Sequence, residues 1–68
     1  MEKKISKKQA FQYAIKIFNL EKKLLEATIE EENKIQFKIE SLVEEIISKY
    51  GFEAMLEIDE IIWSFNRG

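Results

Sequence analysis

The sequence contains no cysteine, no histidine and no proline, and it has two glycines among its 68 residues. Without cysteine the chain has no disulfide and no thiolate ligand for zinc, and without histidine it lacks the commonest general base. No apolar run approaches the ~20 residues that span a bilayer. We therefore predict that the protein is not an enzyme, binds no metal or cofactor, and does not insert into a membrane.

The chain is short for its apolar content, since 46% of its residues are hydrophobic. A domain of this size buries too little surface to be more than marginally stable by itself. Small domains are usually stabilised by disulfides, by metals or by oligomerisation, and the first two routes are closed here. We expect one small domain over residues 1–68 that assembles as a homodimer or a higher oligomer.

Lysine and isoleucine dominate the composition, with ten lysines, eleven isoleucines and a single arginine, Arg67. This bias is typical of an AT-rich coding sequence, so we expect a low-GC bacterium or one of its phages or plasmids as the source. The absence of cysteine fits a reducing compartment, and no apolar stretch follows the first lysines as it would in a signal peptide. We expect a cytoplasmic protein.

Charge is divided unequally along the chain. Residues 1–25 carry a net charge of +5, and residues 26–68 carry a net charge of −7. The two halves can neutralise each other by packing antiparallel, either within one chain or between two. The alternative is a basic head for an anionic partner and an acidic body for a cationic one.

A long amphipathic pattern begins after Ser6, which has the sequence of an N-cap, with Gln9 completing a capping box. Over residues 7–29 the apolar side chains cover about two thirds of the helix circumference, so the helix needs packing partners on more than one side. Residues 1–5 precede the cap, and we predict that they form a frayed basic N-terminus.

The end of the first helix has three interpretations. A turn near Thr28 gives a second capping box with Glu31 and places three glutamates in the first turn of the next helix, where the macrodipole favours acids. A turn at Asn33 leaves those glutamates at a helix C-terminus, which is electrostatically unfavourable. A continuous helix over about 7–50 keeps an apolar heptad pattern and has to pair with copies of itself.

The C-terminal part is better defined. Residues 35–50 have one apolar face, and Gly51 can take the positive φ of the left-handed conformation that ends a helix. A short helix over about 53–65 follows. The predicted fold is therefore all-α: a helical hairpin, or one long helix, followed by a short C-terminal helix.

The last helix is apolar on two sides. Ala54, Ile58, Ile61, Ile62 and Phe65 are predicted to form its inner face. A second apolar stripe, formed by Phe52, Leu56 and Trp63, lies nearly opposite. Such a stripe can dock into a groove of a partner or close a dimer core, and tryptophan is enriched at interface hot spots.

We predict a non-enzymatic protein–protein interaction module, a small regulator, inhibitor or adaptor. Its predicted partner-binding residues are Trp63, Leu56, Phe52 and Phe37, the last because it lies among polar neighbours off the main apolar face. The expected partners are a second copy of the chain and another protein. Another interpretation is that the chain is a structural subunit of a larger assembly.

An accessory nucleic-acid-binding role is a further alternative. It depends on the lysine-rich N-terminus, whose candidate contacts to an anionic partner are Lys3, Lys4, Lys7, Lys8 and Lys16. The C-terminal helix carries four acids and no lysine, so phosphate repulsion opposes its entry into a DNA groove. The predicted nucleic-acid contact is therefore non-specific and salt-dependent.

Overall fold

The computed structural model describes residues 4–67, which form three α-helices and no strand. The helices are α1 (Lys7–Glu26), α2 (Ile29–Tyr50) and α3 (Phe52–Arg67). The predicted all-α class is confirmed for this part of the chain. None of these three helices has the length and apolar content that crossing a membrane requires.

Helix α1 begins with the predicted capping box. The Ser6 hydroxyl accepts a hydrogen bond from the Gln9 N–H at 3.1 Å, and the Ser6 N–H donates to the Gln9 side chain at 3.4 Å. Ile5, directly before the cap, is buried and forms part of the core, although it is the last residue of the predicted frayed segment. Residues 1–3 of that segment lie outside the described residues.

The chain turns at Ala27 and Thr28, which both have extended backbone. The Thr28 hydroxyl accepts a hydrogen bond from the Glu31 N–H at 3.4 Å, as expected for the cap of a new helix. The continuous helix over 7–50 and the break at Asn33 are therefore wrong. A capped N-terminus with three glutamates at the positive end of its macrodipole stabilises a break without glycine or proline.

A connection of two residues, Ala27 and Thr28, holds α1 and α2 side by side as antiparallel neighbours. The Tyr13 hydroxyl of α1 donates a hydrogen bond of 2.7 Å to the Glu45 carboxylate of α2. The Tyr13 ring also packs edge-to-face on Tyr50, with ring centroids 6.3 Å apart. These contacts place the first turns of α1 beside the last turns of α2.

Gly51 alone makes the second turn, with φ 94° and ψ 170°. Its N–H donates to the Ile47 carbonyl at 2.9 Å, and so ends α2 at the predicted position. The conformation is not the left-handed helical one that we predicted, but an extended one with positive φ, which is available almost only to glycine. Because the turn is a single residue, α3 starts directly after it, at Phe52. The helix ends at Arg67, so it is longer at both ends than the predicted range 53–65.

Helix α3 packs against both other helices and is a full third member of the bundle. The Phe65 ring packs edge-to-face on Phe11 and on Phe18, with centroids 5.5 and 5.4 Å apart. The predicted inner face of α3 is buried or half-buried, and Met55, which the prediction missed, is buried as well. The buried core consists of Ile5, Ala10, Ala14, Ile17, Ile46, Ala54, Met55, Ile58 and Ile62.

The apolar surface of α1 is only partly covered by this packing. Ala10 and Ala14 are fully buried, whereas Phe11 and Ile15 on the adjacent face remain exposed. Leu25 and Ile29, which flank the turn between α1 and α2, are 88% and 81% exposed. The chain therefore leaves apolar side chains of both helices in contact with water.

Candidate protein-interaction surface

The outer face of α3 carries an exposed apolar stripe, which we call the α3 stripe: Phe52, Leu56 and Trp63. Their side chains are 63%, 51% and 63% exposed, respectively. The opposite face of the same helix holds Ala54, Ile58 and Ile62 in the core. Since the inner face is fixed by packing, the α3 stripe points away from the bundle.

A shallow depression of about 640 Å³ lies along the α3 stripe. Its lining residues all belong to α3: Leu56, Asp59, Glu60, Trp63, Ser64 and Arg67. The Arg67 guanidinium lies 5.0 Å from the centroid of the Trp63 ring, within the range of a cation–π contact. A depression lined by one helix encloses no small molecule, but it can receive side chains of a docking surface.

Phe37, the fourth predicted partner-binding residue, lies on a different surface. It is 70% exposed and lines a groove of about 480 Å³ between α1 and α2. We call this the α1–α2 groove. Its lining residues are Lys16, Asn19, Leu20, Lys23, Phe37, Lys38, Ser41 and Leu42. The four predicted residues therefore lie on two surfaces, three on the α3 stripe and one in the groove.

The lining of the α1–α2 groove combines apolar side chains with lysines. Leu20, Phe37 and Leu42 supply the apolar atoms, and three lysines supply the charge. No acidic residue is among those that line it. This arrangement suits a ligand that is apolar along its centre and negatively charged at its edges.

Sequence reasoning did not identify Leu20, Leu42 and the three groove lysines as parts of one site. In the structure, Tyr13 pairs with Glu45, so residues of α1 and α2 whose numbers add to about 58 lie opposite each other. This correspondence exists only once the break is placed at residues 27 and 28. As long as the position of the break is undecided, the lysines of α1 cannot be matched with residues of α2.

Next to the groove, a hydrogen-bonded group links α1 to α2. The pKa of Tyr13 is raised to about 12, mainly by the hydrogen bond to Glu45 and, as the next largest cause, by partial burial of the Tyr13 side chain. The same bond lowers the pKa of Glu45, and the nearby charge of Lys49 adds to this effect. The Lys49–Glu45 ion pair, at 3.8 Å and within α2, is the one salt bridge formed in residues 4–67.

The candidate anionic-partner contacts do not form one patch. Lys4, Lys7 and Lys8 are exposed around the start of α1. Lys16 lies two turns further along and lines the α1–α2 groove. Lys3 lies outside the described residues.

Within residues 4–67, no three acidic side chains lie close enough together to hold a metal ion. No protein-family model, curated protein or solved structure matches this chain. The function proposed next is therefore inferred from the geometry and charge of the two surfaces.

Proposed function

We propose that this chain is a non-enzymatic, cytoplasmic protein-interaction module that self-associates and presents the α3 stripe to a partner protein. Acting in this way, it serves as a small regulator, inhibitor or adaptor that occupies a partner's surface. The observation that carries the proposal is the double-sided character of α3. Its inner face already fills the core, yet Phe52, Leu56 and Trp63 on its outer face remain more than half exposed.

The accessible surface of the chain supports self-association. It amounts to 5631 Å², whereas a folded monomer of 8.1 kDa is expected to have about 4,500 Å². The chain thus exposes more surface than a compact monomer of its mass, and a standard interface covers about 800 Å² on each partner.

The α3 stripe has the chemistry of an interaction hot spot. Aromatic side chains bury large areas at low entropic cost, and tryptophan dominates the residues whose truncation weakens interfaces most. Exposed apolar patches of contiguous residues on soluble proteins usually mark binding surfaces. Two aromatic residues and a leucine on one helix face fit the helix-in-groove mode of recognition.

Trp63 gives a direct test, because it is the only tryptophan in the chain. We expect the mass from sedimentation equilibrium to rise with concentration at about 10 µM and above. The tryptophan emission should shift to shorter wavelength over the same range, and acrylamide quenching should fall. A monomer with an unchanged spectrum throughout would refute self-association through this stripe. A rising mass with unchanged emission would refute the stripe as the interface.

A second candidate function, nucleic-acid binding, is favoured by one observation at the start of α1. Lys7 and Lys8 lie in the first helical turn, which contains no acid. Positive charge there opposes the helix macrodipole and costs a few tenths of a kcal/mol. Helix stability therefore does not account for these lysines, whereas contact with phosphate does.

Fluorescence anisotropy with a labelled duplex tests this second candidate. Binding that persists at about 150 mM salt and is lost when Lys3, Lys4, Lys7 and Lys8 are changed to Gln would support it. Binding that is absent, or that is unaffected by these changes, would exclude the N-terminal lysines as a phosphate contact. A structural subunit, by contrast, would form ordered multimers and bind no other ligand.

A further inference from the structure

We propose that the α1–α2 groove binds the α3 helix of a second copy of this chain. This inference rests on the self-association proposed above and specifies its two contacting surfaces. Each copy contributes an α3 stripe on one side of the contact and a groove on the other. The same pair of surfaces then accounts for all four exposed residues predicted to bind a partner.

The groove is open in a single chain. Its lining residues come from α1 and α2 alone, with none from α3. Helix α3 is held in the core by Ala54, Ile58 and Ile62, with its stripe facing outward. The stripe therefore does not fill the groove of its own chain, and the groove residue Phe37 stays exposed.

The edges of the α3 stripe carry the charge that the groove lacks. With 3.6 residues per turn, Asp59 lies beside the stripe on one side, and Glu53 and Glu60 lie beside it on the other. Helix α3 contains no lysine, and its one cation is Arg67, which stacks on Trp63 at the C-terminal end. An acidic, aromatic helix thus faces a basic, apolar groove.

The spacings of the charges also match. Glu53 and Glu60 are seven residues apart, and so are Lys16 and Lys23 on the α1 side of the groove. Seven helical residues span about 10.5 Å, so both pairs repeat at the same distance. Asp59, on the other edge of the stripe, then faces the α2 side of the groove, where Lys38 lies.

Between these edges, the apolar parts correspond in the same way. Leu56 and Trp63 are also seven residues apart on the stripe, which places them about two turns from each other. The groove supplies apolar atoms from Leu20, Phe37 and Leu42, and Phe37 and Leu42 lie five residues, about 7.5 Å, apart along α2. Because the groove and the stripe are different surfaces, the assembly closes in one of two ways: as a two-fold dimer in which each α3 stripe lies in the groove of the other copy, or as a ring of head-to-tail contacts. In both, α3 stays in the core of its own chain.

A charge-swap experiment tests this contact. The groove variant carries Lys16→Glu, Lys23→Glu and Lys38→Glu, and the helix variant carries Glu53→Lys, Asp59→Lys and Glu60→Lys. Each variant alone places like charges across the contact, so its dissociation constant should rise about a hundredfold or more. An equimolar mixture restores opposite charges at every contact and should associate again, as measured by sedimentation.

A matched control separates this effect from net charge. Lys7→Glu, Lys8→Glu and Lys34→Glu change the net charge by the same amount at exposed positions outside the groove lining. This control should self-associate as the unmodified chain does and gain no affinity for the helix variant. Circular dichroism checks that every variant remains helical.

The outcomes distinguish this inference from the proposed function. If the unmodified chain stays monomeric, self-association itself fails. If it associates through Trp63 but the groove variant associates equally well, the α1–α2 groove is not the receptor, although the proposed function stands. Association that is lost in each variant and regained only in their mixture supports the contact.

Discussion

Replacing Trp63 by alanine should weaken self-association strongly while leaving the fold intact. An aromatic side chain of this size buries roughly 150–250 Å² when it is fully covered. Since Trp63 is 63% exposed in the single chain, complete burial at an interface removes about 95–160 Å² from water. At ~25 cal/mol per Å² this area corresponds to about 2.4–4 kcal/mol.

That free energy corresponds to a rise of roughly 50- to 700-fold in the dissociation constant for each Trp63 that is buried, at 1.4 kcal/mol per factor of ten. The unfolding free energy of the monomer should change little, because the bundle covers only a minor part of this side chain. Sedimentation equilibrium measures the first quantity, and urea denaturation under dissociating conditions measures the second. A large rise in the dissociation constant with an unchanged unfolding free energy would identify Trp63 as a surface residue that contributes to binding and not to folding.

Leu25→Ala is the matched control, since Leu25 is the most exposed large apolar residue described and lines neither the depression along the α3 stripe nor the α1–α2 groove. Its truncation also removes exposed apolar area, but it should leave the mass unchanged. If Leu25→Ala and Trp63→Ala weaken association equally, the attraction is a general effect of exposed apolar surface. The reasoning from the α3 stripe is refuted if Trp63→Ala leaves the dissociation constant within about threefold of the unmodified value.

Three further predictions concern the fold. Ile58→Ala removes a fully buried side chain and should cost about 2–5 kcal/mol in urea denaturation, a large part of the stability of so small a domain. Gly51→Ala, at φ 94°, should cost about 1–3 kcal/mol by the same measurement because a Cβ is strained there. A Tyr50→Phe background leaves Tyr13 as the one tyrosine, and its tyrosinate absorbance should rise with a midpoint above the ordinary pH 10, because the hydrogen bond to Glu45 is the largest cause of the raised pKa. Glu45→Gln should move that midpoint toward 10. Because folding raises the pKa of Tyr13, its stabilisation is complete below pH 10 and is lost as the pH rises to about 12.

Local signals in the sequence predicted the starts and ends of the helices well. Ser6 with Gln9, and Thr28 with Glu31, satisfy backbone donors through side chains three residues apart, so the signal is contained in four residues. Gly51 is equally local, because only glycine accepts its positive φ. Such features do not depend on the rest of the fold.

Which apolar face is buried could not be predicted in the same way. On α1 the faces of Ala10 and of Phe11 are both apolar, and the pattern alone does not rank them. The structure buries Ala10 and Ala14 completely and leaves Phe11 and Ile15 partly in water. Small side chains allow a neighbouring helix to approach closely, so the choice depends on where that helix lies, which is non-local information.

The basic first part of the chain and its acidic second part bear on the proposed assembly. Antiparallel packing within one chain does bring the basic α1 beside the acidic α2, yet in residues 4–67 no ion pair joins the two helices. The lysines at positions 16, 23 and 38 instead surround an open apolar groove, and the acids of α3 flank an exposed stripe. The charge of Lys16 does act on Glu45 of α2, but charges that form no ion pair within a chain are available to pair between chains. The groove and the stripe are therefore where the charges of the two halves can neutralise each other.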